Sequence, residues 1–162
     1  MELTHLDEHG AARMVDVSGK DVSARTATAS GRFVTTPEVI GLLRSDGLAK
    51  GDALAVARIA GIAGAKRTPD LVPLCHPVAL HGVTLGLAVQ DDSVEITATV
   101  RTADRTGVEM EALTAVVVAG LALYDMVKAV DRGAQLTEVR LLAKGGGRSG
   151  EWRRERDRRD PS

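Results

Sequence analysis

Val83, Leu85, Leu87 and Val89 alternate with smaller or polar residues along the chain. Beyond the turn Asp91-Asp92-Ser93, Val94, Ile96, Ala98 and Val100 alternate with Glu95, Thr97, Thr99 and Arg101. A period of two with one apolar set predicts a β-hairpin with one buried face. Residues 22–34, rich in Ala and Thr without a helical stripe, read as a strand, and Met14-Val15-Asp16-Val17 as a shorter one. Residues 1–12 are polar and aperiodic, and predict a loose start.

Helix signals fill the spaces between the strands. Thr36-Pro37-Glu38 supplies a cap and a proline at the first helical position, predicting a helix to about Arg44. Asp52 is the predicted N-cap of a second helix that reaches Arg67 and is stopped by Thr68-Pro69. Residues 70–77 contain two further prolines and read as an ordered loop. Gly107 precedes the longest helix, residues 108–130, which Asp131-Arg132-Gly133 ends. Residues 136–144 form the last predicted strand, and Gly145-Gly146-Gly147-Arg148-Ser149-Gly150 follows. The order strand, helices, two strands, helix, strand matches an α+β ferredoxin-like sandwich, an antiparallel sheet with helices on one face and one extra helix. Residues 1–150 form the single expected domain, and residues 151–162 a charged, disordered tail.

Composition narrows the function classes. The 162 residues suit one domain. The lone cysteine, Cys75, excludes an internal disulfide; with no signal-peptide pattern, a reducing cytoplasm is expected. The longest apolar run, residues 112–124, is too short to span a bilayer, so no membrane segment is expected. A net charge of −1 gives no basic field for nucleic acid. Three aromatics, Phe33, Tyr124 and Trp152, are too few for base stacking. In the tail, five arginines and four acids between 151 and 160 nearly cancel, as in a solvated, frayed end.

The candidate chemistry is a set of charged residues. No nucleotide-binding glycine fingerprint or paired CxxC is present, and Cys75, His76 and His81 fall short of a closed zinc site. Lys50 precedes a helix N-terminus, where it either completes an anion site or is a solvated loop residue. Lys66 and Arg67 end the same helix and complement its dipole. Lys144, three glycines and Arg148 could wrap phosphate. Glu109 and Glu111 open the long helix. Asp125 and Lys128 share a face near its other end, either as a surface ion pair or as a buried functional one. Glu111, Ala115, Val118, Ala122 and Asp125 make a narrow stripe of mostly small residues that invites another helix or subunit. Glu111 and Lys128 stand about 25 Å apart along the helix, too far for one small reacting centre. If both ends act, a neighbouring subunit must supply one of them.

Several segments together resemble one family: Met-Val-Asp-Val-Ser (14–18), Lys-Gly-Asp (50–52), Ala-Arg-Ile-Ala-Gly-Ile (57–62) and Ala-Lys-Arg-Thr (65–68). Leu-Cys-His-Pro (74–77), Thr-Gly-Val-Glu-Met-Glu-Ala-Leu-Thr-Ala (106–115), Tyr-Asp-Met-Val-Lys-Ala-Val (124–130) and Leu-Leu-Ala-Lys-Gly-Gly-Gly-Arg-Ser-Gly (141–150) complete the set. From Leu3 to Gly150 the chain resembles the cyclic pyranopterin monophosphate synthase family of molybdenum-cofactor biosynthesis. The resemblance implies a homohexamer, a trimer of dimers with active sites between subunits. It also implies a lyase that converts 3′,8-cyclised dihydroguanosine triphosphate to cyclic pyranopterin monophosphate and diphosphate. Lys50, Asp125 and Lys128 match the family's catalytic positions. Leu74, Cys75 and His76 match one substrate-binding segment, and Met110 with Glu111 another. Lys20, Arg25, Lys66, Arg67 and Lys144 fall where the family gathers charge for the triphosphate. Gly145 and Arg148 depart from the expected Ser and Lys. No cofactor is implied, and whether magnesium accompanies the triphosphate stays open. On this reading Lys128, paired with Asp125, and Lys50 act as general acid and base, with at least one lysine pKa lowered. A non-catalytic, nucleotide-binding regulatory oligomer is the alternative.

Overall fold

The computed structural model describes residues 4–155. Along the chain these form β1 (Ser23–Val34), α1 (Pro37–Arg44), α2 (Ala53–Lys66), α3 (Thr68–Leu71), β2 (Leu80–Val89), β3 (Ser93–Asp104), α4 (Glu109–Val127), β4 (Gln135–Gly145) and β5 (Trp152–Arg153). One antiparallel sheet runs in the order β2-β3-β1-β4-β5, with helices packed on one face. The first four strands have the ferredoxin-like order expected from the sequence.

Period-two patterning produces the sheet as read. Ala27, Ala29 and Phe33 of β1 are fully buried, as are Val94, Ile96, Ala98 and Val100 of β3, while the residues alternating with them are more exposed. Both helix starts are capped as predicted: the Thr36 hydroxyl accepts from the Val39 N–H, and Asp52 Oδ1 accepts from the Ala55 N–H at 2.9 Å. α4 lies across β1, β3 and β4, and α2 packs beside it over β2. The stripe of small residues on α4 is taken by α2 of the same chain. Gly61 and Gly64 permit that approach: a Cβ at Gly61 would stand 2.9 Å from the Ala115 carbonyl, and one at Gly64 2.7 Å from the Val118 side chain.

Five expectations need correction. Met14–Val17 is not a strand: Met14 is exposed, and the Val15 carbonyl is taken by the His76 ring instead of a neighbouring strand. Residues 70–77 are not loop throughout: α2 ends before Thr68-Pro69 as expected, but Thr68-Pro69 opens α3, which takes in Asp70 and Leu71, because proline is tolerated in a first turn. The long helix stops at Val127, with Lys128 as its C-cap. At 19 residues α4 is also long and apolar enough to cross a membrane by length and composition, although half of it is buried in this fold. Finally, Trp152–Arg153 is not frayed: it pairs with β4 as β5. The remainder of the predicted tail, 156–162, lies outside the described residues.

Candidate functional site

Lys50, Asp125 and Lys128 come together at the C-terminal end of α4. Lys50 leaves the turn before α2, next to Gly51, whose φ of +95° suits glycine. Asp125 Oδ2 pairs with Lys50 Nζ at 3.0 Å, and Asp125 Oδ1 pairs with Lys128 Nζ at 2.7 Å. Lys50 also donates to the Asp125 carbonyl at 2.8 Å, so one carboxylate and the helix end anchor two ammonium groups. Hydrogen bonding from Lys128, then from Lys50, holds the Asp125 carboxyl below the usual carboxylate range. Asp125 in turn pushes the Lys128 ammonium pKa up. The expected lowering of a lysine pKa is therefore reversed at Lys128. The pair is also not buried: side-chain exposures are 45 %, 59 % and 50 % for Lys50, Asp125 and Lys128.

Positive charge gathers at the opposite end of α4. Lys20, Arg25 and Arg148 line a cavity of about 530 Å³ with Gly147 and Ser149. It shares Lys20, Arg25 and Ser149 with a second cavity walled by Arg105, Lys144, Gly145 and Gly146. Arg25 is fixed by donating Nε to the Asp104 carbonyl at 2.9 Å and Nη2 to the Arg105 carbonyl at 3.1 Å. Arg105 Nε donates to the Lys20 carbonyl at 3.0 Å, and Lys144 Nζ pairs with Glu109 Oε1 at 3.0 Å. Gly146 and Gly147 take φ of +89° and +73° and press on the Ala24 carbonyl and the Arg25 guanidinium, where a side chain would collide. Cationic groups on a turning, glycine-rich backbone can hold a polyanion.

The segment Leu74-Cys75-His76 is half-buried between α3 and β2. His76 Nε2 donates to the Val15 carbonyl, which can only accept, so in the neutral ring Nδ1 keeps its lone pair. His76 lines a third cavity with Asp16, Arg105 and Thr106, and the last two also wall the cationic cavity. The cationic cavity thus shares lining residues with each of the other two hollows. Glu111 is only 3 % exposed; burial pushes its carboxyl pKa up, and Glu109 adds to the rise. Burial also raises the Cys75 thiol, with a further contribution from Glu111. Met110, beside it in the chain, is exposed.

The structure thus brings the sequence candidates into two groups about 25 Å apart along α4. Lys66 and Arg67 are exposed at the end of α2 and make no ion pair among the described residues. No three His, Cys, Asp or Glu side chains among the described residues group as metal ligands. Sequence reasoning missed Arg105, which joins two of the cavities. Its only signal was a cation two residues before the glycine that opens α4.

A family model described as the MoaC family matches residues 14–147. Among curated relatives, a protein of Streptomyces coelicolor named cyclic pyranopterin monophosphate synthase is 71% identical over 152 residues, covering 94% of this chain and 89% of the relative. Cyclic pyranopterin monophosphate synthase 2 of Mycobacterium tuberculosis is 59% identical over 153 residues, covering 94% and 92%. The cyclic pyranopterin monophosphate synthase of Thermomicrobium roseum is 58% identical over 158 residues, covering 96% and 95%.

Proposed function

The chain belongs to the MoaC family, and from that premise we propose that it is the lyase that converts 3′,8-cyclised dihydroguanosine triphosphate to cyclic pyranopterin monophosphate and diphosphate. The observation that carries the reading is one carboxylate, Asp125, holding Lys50 and Lys128 at one end of a helix whose other end borders a cationic bowl. The bowl binds the triphosphate through Lys20, Arg25, Arg105, Lys144 and Arg148, and neutralises the diphosphate that leaves as the cyclic phosphate closes. Lys128, whose ammonium Asp125 orients at 2.7 Å, is the general acid. Lys50 is the second proton-transfer group, and His76, with Nδ1 free to accept, relays a proton. Leu74, Cys75, Met110 and Glu111 shape the wall on the ring side.

The separation of the two groups supports an active site shared between subunits: the bowl of one copy meets the Lys50–Asp125–Lys128 cluster of another. A homohexamer, a trimer of dimers, is the proposed assembly. Exposed Val117 and Leu121, which border a groove with Phe33, Gly120, Tyr124 and Leu136, provide apolar surface for such contacts. The half-buried thiol of Cys75 fits a reducing cytoplasm. No protein cofactor enters the scheme, and magnesium, if present, travels with the triphosphate.

Incubation of the purified protein with the cyclised triphosphate, followed by mass spectrometry, tests the reaction. Cyclic pyranopterin monophosphate and diphosphate should form, and Lys128→Ala or Lys50→Ala should abolish them. Substrate binding without turnover by the unaltered protein would favour the regulatory alternative instead. Coexpressed Lys128→Ala and Lys144→Ala chains test the shared site: mixed oligomers should recover activity that each variant lacks alone, and no recovery would place the whole site within one chain.

A further inference from the structure

β4 and β5 turn the glycine-rich segment into the loop of a hairpin. Ala143 pairs with Arg153 and Lys144 with Trp152, so residues 145–151 are held at both ends. Just before Lys144, β4 is irregular. Thr28 pairs with Ala143 and Ala29 with Leu141, which leaves Leu142 without a partner on β1, as in a β-bulge. Arg154 closes on this bulge. Its backbone N–H donates to the Leu142 carbonyl at 2.8 Å, and its Nε donates to the Leu141 carbonyl at 2.8 Å. Its guanidinium also lies 5.8 Å from the centre of the Trp152 ring, within cation–π range. One residue thus satisfies two successive carbonyls of the strand that delivers Lys144 two positions later. Across the loop, Gly146 and Gly147 rest on β1 at Ala24 and Arg25. The loop is therefore gripped between β1 and the tail strand.

We propose that Arg154, stacked on Trp152, is a positioning residue that fixes the β4 bulge and with it Lys144 and the glycine loop in the geometry of the cationic bowl. The consequence for phosphate rests on the reading of that bowl given above. Arg154 acts through β4, because its Nε is occupied by a backbone carbonyl. Without that bond the Leu141 carbonyl beside the bulge turns to water, β5 loosens, and Lys144 samples positions away from the bowl. A positive charge alone cannot substitute, since a lysine at 154 lacks the planar donor fork.

The test compares the full chain with Arg154→Ala and Arg154→Lys, using inorganic triphosphate as the probe for the bowl. Amide hydrogen exchange over residues 143–150 should quicken in both variants. Triphosphate affinity, read by calorimetry, should fall about tenfold in both, the loss of one charge-assisted hydrogen bond. KM for the cyclised substrate should rise in parallel while kcat stays within about twofold. Unchanged exchange in Arg154→Ala would overturn the inference. Full recovery of affinity in Arg154→Lys would overturn it too, by showing that charge suffices. If the unaltered protein binds no triphosphate yet exchange quickens in both variants, the positioning role is supported and the phosphate reading of the bowl is the part that fails.

Discussion

Replacing Gly64 by alanine puts a methyl group into the contact between α2 and α4. Its carbon would lie 2.7, 2.8 and 3.1 Å from Cγ2, Cβ and Cγ1 of Val118, against an ordinary contact of 3.4 Å or more. Val118 cannot turn aside, because a β-branched side chain in a helix is confined largely to one rotamer. The helices must separate instead, and overpacking of this kind costs about 1–3 kcal/mol. Alanine recovers about 1 kcal/mol of helix propensity, so the net loss is about 0–2 kcal/mol. For a chain of 162 residues that is a fall in Tm of up to about 8 °C. Gly41 provides the internal control. It is exposed on α1 with nothing within 4 Å of its would-be Cβ, so Gly41→Ala should raise Tm by about 1–4 °C. Thermal unfolding at one protein concentration reads both. Adding Val118→Ala to Gly64→Ala should cost less than the sum of the two single losses, because the space is restored. If Gly64→Ala stabilises the protein as Gly41→Ala does, the close approach of α2 to α4 is wrong.

Three further outcomes follow from the geometry. Asp125→Asn should lower kcat by about 10²–10⁴-fold, and because Asp125 raises the Lys128 pKa, the alkaline limb of the pH–rate profile should move to lower pH; an unmoved limb would remove Lys128 as the acid. Glu111→Gln bears on stability: a raised carboxyl pKa favours the fold below the ordinary glutamate range, and that advantage fades as pH climbs through the raised value. Denaturation curves should therefore show the variant more stable than the parent at neutral pH, with a flatter pH dependence, and an equal loss at every pH would contradict this. Asp52→Ala removes the cap of α2 and should cost about 1 kcal/mol in a denaturant titration, whereas Asp52→Ser should recover most of it.

Local chemistry was enough to place most elements. Period-two patterning in β2 and β3, the Ala- and Thr-rich run of β1 and the Thr36 and Asp52 caps are all decided by neighbours in sequence, so they were legible there. The same holds for the family, because the motifs are runs of adjacent residues. Met14–Val17 shows the limit of that reasoning. Its alternation is that of a strand, but a strand needs an edge to pair with, and the His76 ring occupies the Val15 carbonyl instead. Trp152–Arg154 shows the opposite error, since a charge-balanced tail was given an edge by β4 and two bulge carbonyls to satisfy. For the candidate site, sequence named Lys50, Asp125 and Lys128 but not that both ammonium groups share one carboxylate, which depends on α2 starting where α4 ends. Nor could it supply Arg105 or the rise in the Lys128 pKa. Sequence determines what depends on backbone propensity and adjacent side chains; tertiary structure decides which charges meet, because Coulomb and hydrogen-bond energies depend on distances set by packing between segments far apart in the chain.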